Sequence, residues 1–202
     1  MSASLLFLPL LLLASGAARA EDLPSEVELV STTGDCGETA PTLQVAPGNG
    51  FRLQLDRATI VTSEEHDTAR LFCTVKLTIN APFGFQARLP ALAVSGTARL
   101  AAGRGSGSLS SRIFFAGSRS HHGFTRLAAG DETTSFQVTT GDDEARWSSC
   151  AQVLSLSVLI DATAQDQQHR PDAMAAAEVT VAEASVAPIL YRRCPVTESP
   201  RS

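Results

Sequence analysis

The sequence predicts an all-β protein, an antiparallel β-sandwich stabilised by two disulfides. Three observations carry that expectation. Apolar and polar residues alternate with period two in run after run, turn-forming residues cluster between the runs, and the four cysteines form an even set. There is no βαβ rhythm and no internal repeat.

The first twenty residues read as a cleaved export signal. Leu5 to Leu13 is almost continuous hydrocarbon, interrupted by Pro9, and Ala18-Arg19-Ala20 places small residues where a signal peptidase cuts. Glu21-Asp22-Leu23-Pro24 follows, acidic and turn-prone. The apolar run is about half the ~20 residues that a membrane span needs. No Lys or Arg precedes Leu5, and no Cys near the cut suggests a lipid anchor. Residues 1–20 are therefore expected to be removed near Ala20, delivering the chain to the periplasm or the medium.

Beyond the signal, Phe51 to Leu55 points Phe, Leu and Leu one way and Arg and Gln the other. Cys73 to Ile79 alternates over its whole length with the cysteine on the apolar face. Val94 to Leu100, Leu109 to Phe115, Ser135 to Val138, Leu154 to Ile160 and Ala177 to Val181 repeat the pattern. Turn chemistry separates them, as at Ala46-Pro47-Gly48-Asn49-Gly50 and Thr140-Gly141-Asp142-Asp143. Asp172 to Glu183 is alanine-rich, but Glu178-Val179-Thr180-Val181 is alternating and β-branched, so its second half reads as a strand. Ser63 to Ala69 has room for one helical turn. Gly103-Arg104-Gly105-Ser106-Gly107-Ser108 reads as a mobile hairpin connection, and residues 195–202 as a frayed tail. Residues 21–194 then form a single domain.

Composition narrows the function classes. The chain has 16 basic residues, of which Lys76 is the sole lysine, against 21 acidic ones, a net charge of −5. That balance offers no overall basic footprint for nucleic acid. Cys36, Cys73, Cys150 and Cys194 contain no CxxC pair, so zinc ribbons and thioredoxin-like redox sites have no support. Four cysteines allow three connectivities. Cys36–Cys73 with Cys150–Cys194 is favoured because each pair brackets one half of the chain.

The cysteine-centred motifs resemble those of an exported protein family of fungi and bacteria, domain of unknown function 4360. Gly34-Asp35-Cys36 comes first. Arg70-Leu71-Phe72-Cys73-Thr74-Val75-Lys76-Leu77-Thr78-Ile79 follows, and then the turn Ala81-Pro82-Phe83-Gly84-Phe85. Gly96 to Leu100, Phe114-Phe115-Ala116-Gly117, Ser148-Ser149-Cys150 and Tyr191-Arg192-Arg193-Cys194 complete the order. The chain departs from the family pattern at Ser149, where Pro is frequent, and at Tyr191, where Trp is frequent. The resemblance implies export and a β-rich fold; it brings no activity and no catalytic residues.

Candidate chemistry is sparse. Glu64-Glu65-His66-Asp67 gathers carboxylates and an imidazole that a turn, but not a strand, would bring to one metal ion. His121-His122 lies among Gly117, Ser118, Ser120 and Gly123, which suggests a loop in which both rings are free to ligate. Three ligands would converge if His66 came near that pair. Asp142-Asp143-Glu144 has the acidity of a calcium loop without EF-hand spacing. Each cluster reads first as solvated surface, and no metal or other cofactor is expected.

No Gly-x-Ser-x-Gly nucleophile elbow occurs, and the cysteines are expected to be consumed in disulfides. The glycine run has no Lys-Ser/Thr after it, so it is not a phosphate cradle. A glycosidase pair of carboxylates has no signature to point to. A carbohydrate-binding module is the natural thought for an exported β-sandwich, but aromatic platforms are scarce. Trp147 and Tyr191 are the sole Trp and Tyr, Trp147 is expected beside a disulfide, and Phe83, Phe85, Phe114 and Phe115 read first as core or its lids. If Phe114 and Phe115 alternate, one of them faces outward.

The reading is an exported, non-catalytic binding or structural module. Its partner would lie outside the cell or at the envelope, with no nucleic acid and no membrane span in the mature chain. Its rivals are a metal- or carboxylate-dependent extracellular hydrolase and a periplasmic metal-binding module using His66, His121 and His122.

Overall fold

The computed structural model describes residues 26–46, 50–63, 65–140, 146–168 and 175–195. The signal segment 1–20, Glu64, the Asp142-Asp143-Glu144 run, the middle of the Ala46 to Gly50 turn and residues 196–202 of the tail lie outside them. So does the first part of the alanine-rich stretch from Asp172. Among the described residues there is no helix, and so none long and apolar enough to cross a membrane.

The strands follow one another as β1 (Glu26–Gly34), β2 (Thr42–Val45), β3 (Phe51–Val61), β4 (Thr68–Asn80), β5 (Phe85–Ala87) and β6 (Leu92–Leu100). They continue with β7 (Gly105–Phe115), β8 (His121–Leu127), β9 (Gly130–Thr139), β10 (Val153–Asp166), β11 (Ala177–Val186) and β12 (Tyr191–Arg193). The first sheet has the order β1-β4-β10-β7-β8 and the second β2-β3-β11-β6-β9, with β5 and β12 as a separate ribbon. All pairings are antiparallel.

The two orders are matched. β1 lies over β2, β4 over β3, β10 over β11, β7 over β6 and β8 over β9, so the strands stacked on one another across the layers are consecutive among those of the two sheets. Consecutive elements lie next to each other in space, as short connections require.

Alternation explains the core. Leu71, Cys73, Val75, Leu77 and Ile79 of β4 and Leu154, Leu156, Val158, Ile160, Ala162 and Ala164 of β10 face inward. They meet Phe51, Leu53 and Leu55 of β3, Val94, Ala98 and Leu100 of β6, and Val179, Val181, Ala184 and Val186 of β11. Burying each large aliphatic side chain stabilises the fold by about 1.5–3 kcal/mol before conformational entropy is subtracted.

Two disulfides are closed, Cys36–Cys73 and Cys150–Cys194, with Cα separations of 4.7 and 5.9 Å. The first ties the segment after β1 to the inner face of β4. The second ties the lead into β10 to the end of β12. Disulfides of this kind are those of a chain that matures in an oxidising compartment.

Several expectations are corrected. Ser63 to Ala69 makes no helical turn: Ser63 N–H donates to the His66 carbonyl at 3.1 Å, His66 N–H donates back at 3.2 Å, and β4 begins at Thr68. The glycine run is no hairpin tip. The turn is 102–104, and Gly105 to Ser108 already form the start of β7, passing from one sheet to the other. A Cβ at Gly105 would sit 2.2 Å from the Ala176 carbonyl oxygen, so the backbone there is packed rather than loose.

Phe83 is not a lid on the core, because it is 86% exposed. Phe85 N–H donates to the Pro82 carbonyl at 3.2 Å and Gly84 has φ +79°, a type II turn that throws its second residue outward.

Candidate functional site

The structure does not assemble the His cluster. His121 and His122 lie on β8, not in a loop, and therefore point to opposite faces: His121 is buried and His122 exposed. His66 is remote from both. It sits just before Thr68, whose row runs through Gln165 to Ser106, whereas the row of His121 runs through Ile113 and Val158 to Val75. The stretch Thr68–Val75 separates those rows by about 23 Å at ~3.3 Å per residue, and three strand spacings of ~4.8 Å add to it. Among the described residues no three His, Cys, Asp or Glu side chains gather as a metal site.

Trp147 pairs through its backbone with Arg88, and the guanidinium of Arg192 lies 4.2 Å from its ring centroid. Cys150–Cys194 brings these two segments together, and the cation–π contact follows from that register.

What the sequence pattern did not bring out is the outer face of the first sheet. Period two sends Arg70, Phe72, Thr74 and Lys76 of β4 outward. Ser157, Leu159, Asp161, Thr163 and Gln165 of β10 join them, with Ser108, Ser110, Arg112 and Phe114 of β7 and His122, Phe124 and Arg126 of β8. The ladders fix their order. Lys76, Ser157 and Phe114 share a row; Leu159, Arg112 and His122 the next; Asp161, Ser110 and Phe124 the third; Thr163, Ser108 and Arg126 the fourth. A diagonal from Lys76 to Arg126 therefore meets a cation, a ring (Phe114), a cation (Arg112 beside His122), a ring (Phe124) and a cation. Phe115, the neighbour of Phe114, is buried in the core.

The lower end of this track opens into a groove of about 390 Å³ lined by Ser106, Gly107, Ser108, Phe124, Arg126, Thr163, Gln165 and Gln167. Phe124 is 57% exposed beside it. The Ser108 and Thr163 hydroxyls bond to each other at 2.7 Å and leave lone pairs toward solvent. An apolar ring next to hydroxyl, amide and guanidinium groups can stack on one face of a ligand while hydrogen-bonding its edge. Another cleft, of about 280 Å³, lies between Leu89, Pro90, Ala91, Pro188 and Leu190, with Arg88 at its margin. It offers few polar groups to orient a ligand, so the groove beside Phe124 is the better-equipped site.

Electrostatics separates the two faces. On the outer face of β4, β10, β7 and β8, Asp161 is the one described carboxylate, and Arg70 holds it through bonds of 2.9 and 2.6 Å. That hydrogen bonding, and then the charge of Asp161, raises the Arg70 guanidinium above the ordinary arginine value. Among the described residues Lys76, Arg112 and Arg126 make no ion pair. On the second sheet, Arg52 meets Glu183 at 3.8 Å and Arg99 meets Glu178 at 3.0 Å. The second sheet pairs these two cations, whereas Arg112 and Arg126 stand on strands β7 and β8 that carry no carboxylate; Glu26 and Glu28 lie on β1 at the opposite edge of the first sheet.

Comparison with known proteins adds the following. No curated protein matches the chain. Among solved structures, it is similar to TmCBM61 in complex with β-1,4-galactotriose, at 10% identity over 87% of this chain and 92% of that one, with a TM-score of 0.25. It is also similar to a family 11 carbohydrate-binding module from Clostridium thermocellum, at 10% identity over 80% and 83% of the two chains, TM-score 0.22. A third similarity is to the enzymatically active domain of bacteriophage CBA120 tailspike protein 4, at 10% identity and a TM-score of 0.27. It covers 87% of this chain and 20% of that one, so the chain spans a fifth of that length. At such TM-scores these likenesses carry no argument about what this chain binds or does. The family comparison is of another kind: the model described as Domain of unknown function (DUF4360) matches residues 26–194, and the chain belongs to that family.

Proposed function

We propose that the protein is an exported, non-catalytic binding module that takes a saccharide chain on the outer face of β4, β10, β7 and β8. In this reading residues 1–20 are removed near Ala20, residues 21–194 are one domain, and residues 195–202 are a tail. The observation that supports it is the groove beside Phe124. There an exposed ring adjoins the hydroxyls of Ser106, Ser108 and Thr163 and the amides of Gln165 and Gln167. A polyhydroxylated ligand presents apolar C–H faces and hydroxyl edges, which such a surface matches.

A carboxylate-dependent hydrolase would need two acids converging on one bond. On this face Asp161 is bound by Arg70 and has no described carboxylate partner. The reading is tested by affinity electrophoresis of the exported protein against soluble neutral and acidic polysaccharides. At least one polysaccharide should retard it, and Phe124→Ala should weaken that binding about tenfold, equivalent to ~1.4 kcal/mol. Release of reducing ends from a bound polysaccharide would instead establish the hydrolase.

A further inference from the structure

Resting on that reading, we propose that the ligand is an anionic polysaccharide, a chain of sugars with widely spaced carboxylates or sulfates. The charge of the face is the first reason. The chain as a whole is acidic, yet this surface displays Lys76, Arg112 and Arg126 outside any described ion pair, and β7 and β8 carry no carboxylate. The acids Glu26 and Glu28 of β1, opposite Asn80 and Thr78, lie beyond the Lys76 end. A surface opposite in sign to its own protein attracts an anion selectively.

The second reason is geometry. Cations alternate with Phe114 and Phe124 along the diagonal, so each charge is flanked by an apolar platform. A guanidinium presents a planar fork that fits a carboxylate or sulfate through two N–H donors, and two of the three cations are Arg.

The third reason is linear charge density. From Lys76 to Arg126 the track covers the rows Ser157 to Thr163, about 20 Å, and three strand spacings, about 14 Å, a diagonal of roughly 24 Å. A nucleic-acid strand carries one phosphate per about 3.4 Å and would set some seven phosphates against these three cations. A polysaccharide with charge on some of its sugars matches the spacing better.

The test is affinity electrophoresis through gels holding hyaluronan or partly methyl-esterified polygalacturonate, whose carboxylates are spaced along the chain. Fully methyl-esterified polygalacturonate serves as a control with its charge removed, and a single-stranded DNA oligonucleotide as the rival polymer. At least one acidic polysaccharide should retard the protein, with affinity about tenfold or more above the esterified control and falling between about 0.05 and 0.2 M salt. The double variant R112Q/R126Q should lose about tenfold while keeping its melting temperature. R52Q/R99Q changes net charge equally on the other sheet and should bind as the parent does. Equal loss in both double variants would overturn the inference, because net charge and not this face would be acting. Equal retardation by charged and esterified polymer, abolished by Phe124→Ala, would overturn it while leaving the binding module standing. Tighter binding of DNA than of any polysaccharide would overturn it in favour of nucleic acid. Retardation in no gel, including neutral ones, would overturn both.

Discussion

Arg112 and His122 stand opposite each other across the β7–β8 ladder, both facing solvent, with the His122 imidazole 3.1 Å from the Ser110 hydroxyl. The pair marks the centre of the cationic track. Arg112→Gln alone should therefore weaken binding of an acidic polysaccharide several-fold, up to about tenfold. Affinity electrophoresis of parent and variant checks this.

Arg104 and Asp166 close the turn between β6 and β7 onto the end of β10. Arg104 Nε donates to Asp166 Oδ1 at 3.0 Å, and the two side chains are 15% and 7% exposed. Gln168 N–H donates to the same carboxylate at 3.0 Å, and Gln167 N–H donates to the Arg104 carbonyl at 2.9 Å. Arg104→Ala removes this guanidinium from a buried carboxylate and should lower the melting temperature by several degrees. The hydrogen bond to Asp166 raises the Arg104 guanidinium above its ordinary value, against the opposing effect of burial. Its contribution is fully present below the unfolded-state pKa and is lost only as pH rises through the higher folded one. The arginine side of the pair therefore adds no pH dependence near neutrality, which calorimetry across that range would show.

Each disulfide closes a long loop, with sequence separations of 37 and 44. In the loop-entropy model each contributes about 4 kcal/mol. Reduction should lower thermal stability markedly. Cys36→Ser should expose one free thiol, on Cys73, and Cys150→Ser one on Cys194, both readable by alkylation and peptide mass. Trp147, the single tryptophan, reports on the second bridge, because its contact with Arg192 depends on that register. Its fluorescence should change in Cys150→Ser and hold in Cys36→Ser.

Gly96 lies where β6 faces Phe136 of β9 and Val181 of β11, beside the register shift between Val181 and Glu183. A Cβ there would stand 2.0 Å from the Thr180 carbonyl oxygen and 2.7 Å from Phe136 Cζ. Because the nearer atom is backbone, Gly96→Ala must displace a central strand. It should destabilise by about 1–3 kcal/mol in denaturant unfolding.

The central strands were legible in the sequence because their inward positions are uniformly apolar, as in Cys73 to Ile79 and Leu154 to Ile160. β8 was not. Its inward positions begin with His121 and Gly123, and the glycine is needed where a Cβ would approach the Thr139 carbonyl oxygen to 2.9 Å. Polar and small residues facing inward leave no period to read, so the segment passed for a loop. Phe83 misled for the opposite reason: turn geometry, not hydrophobicity, directs its ring outward.

The candidate face was hidden more deeply. Lys76, Phe114, Arg112, Phe124 and Arg126 are scattered over three strands. The order β4-β10-β7-β8 and its register line them up. Net charge concealed the asymmetry as well, since acids elsewhere outweigh these cations.

The most direct test is to map the ligand onto the fold. Backbone amide shifts of isotope-labelled protein, followed by NMR during titration with an acidic oligosaccharide, should move along β7, β8 and the outward positions of β10, centred on Arg112, Phe124 and Arg126. Amides of β3, β6 and β11 should stay in place. Shifts concentrated on the second sheet or around Leu89, Pro90 and Pro188 would contradict the account.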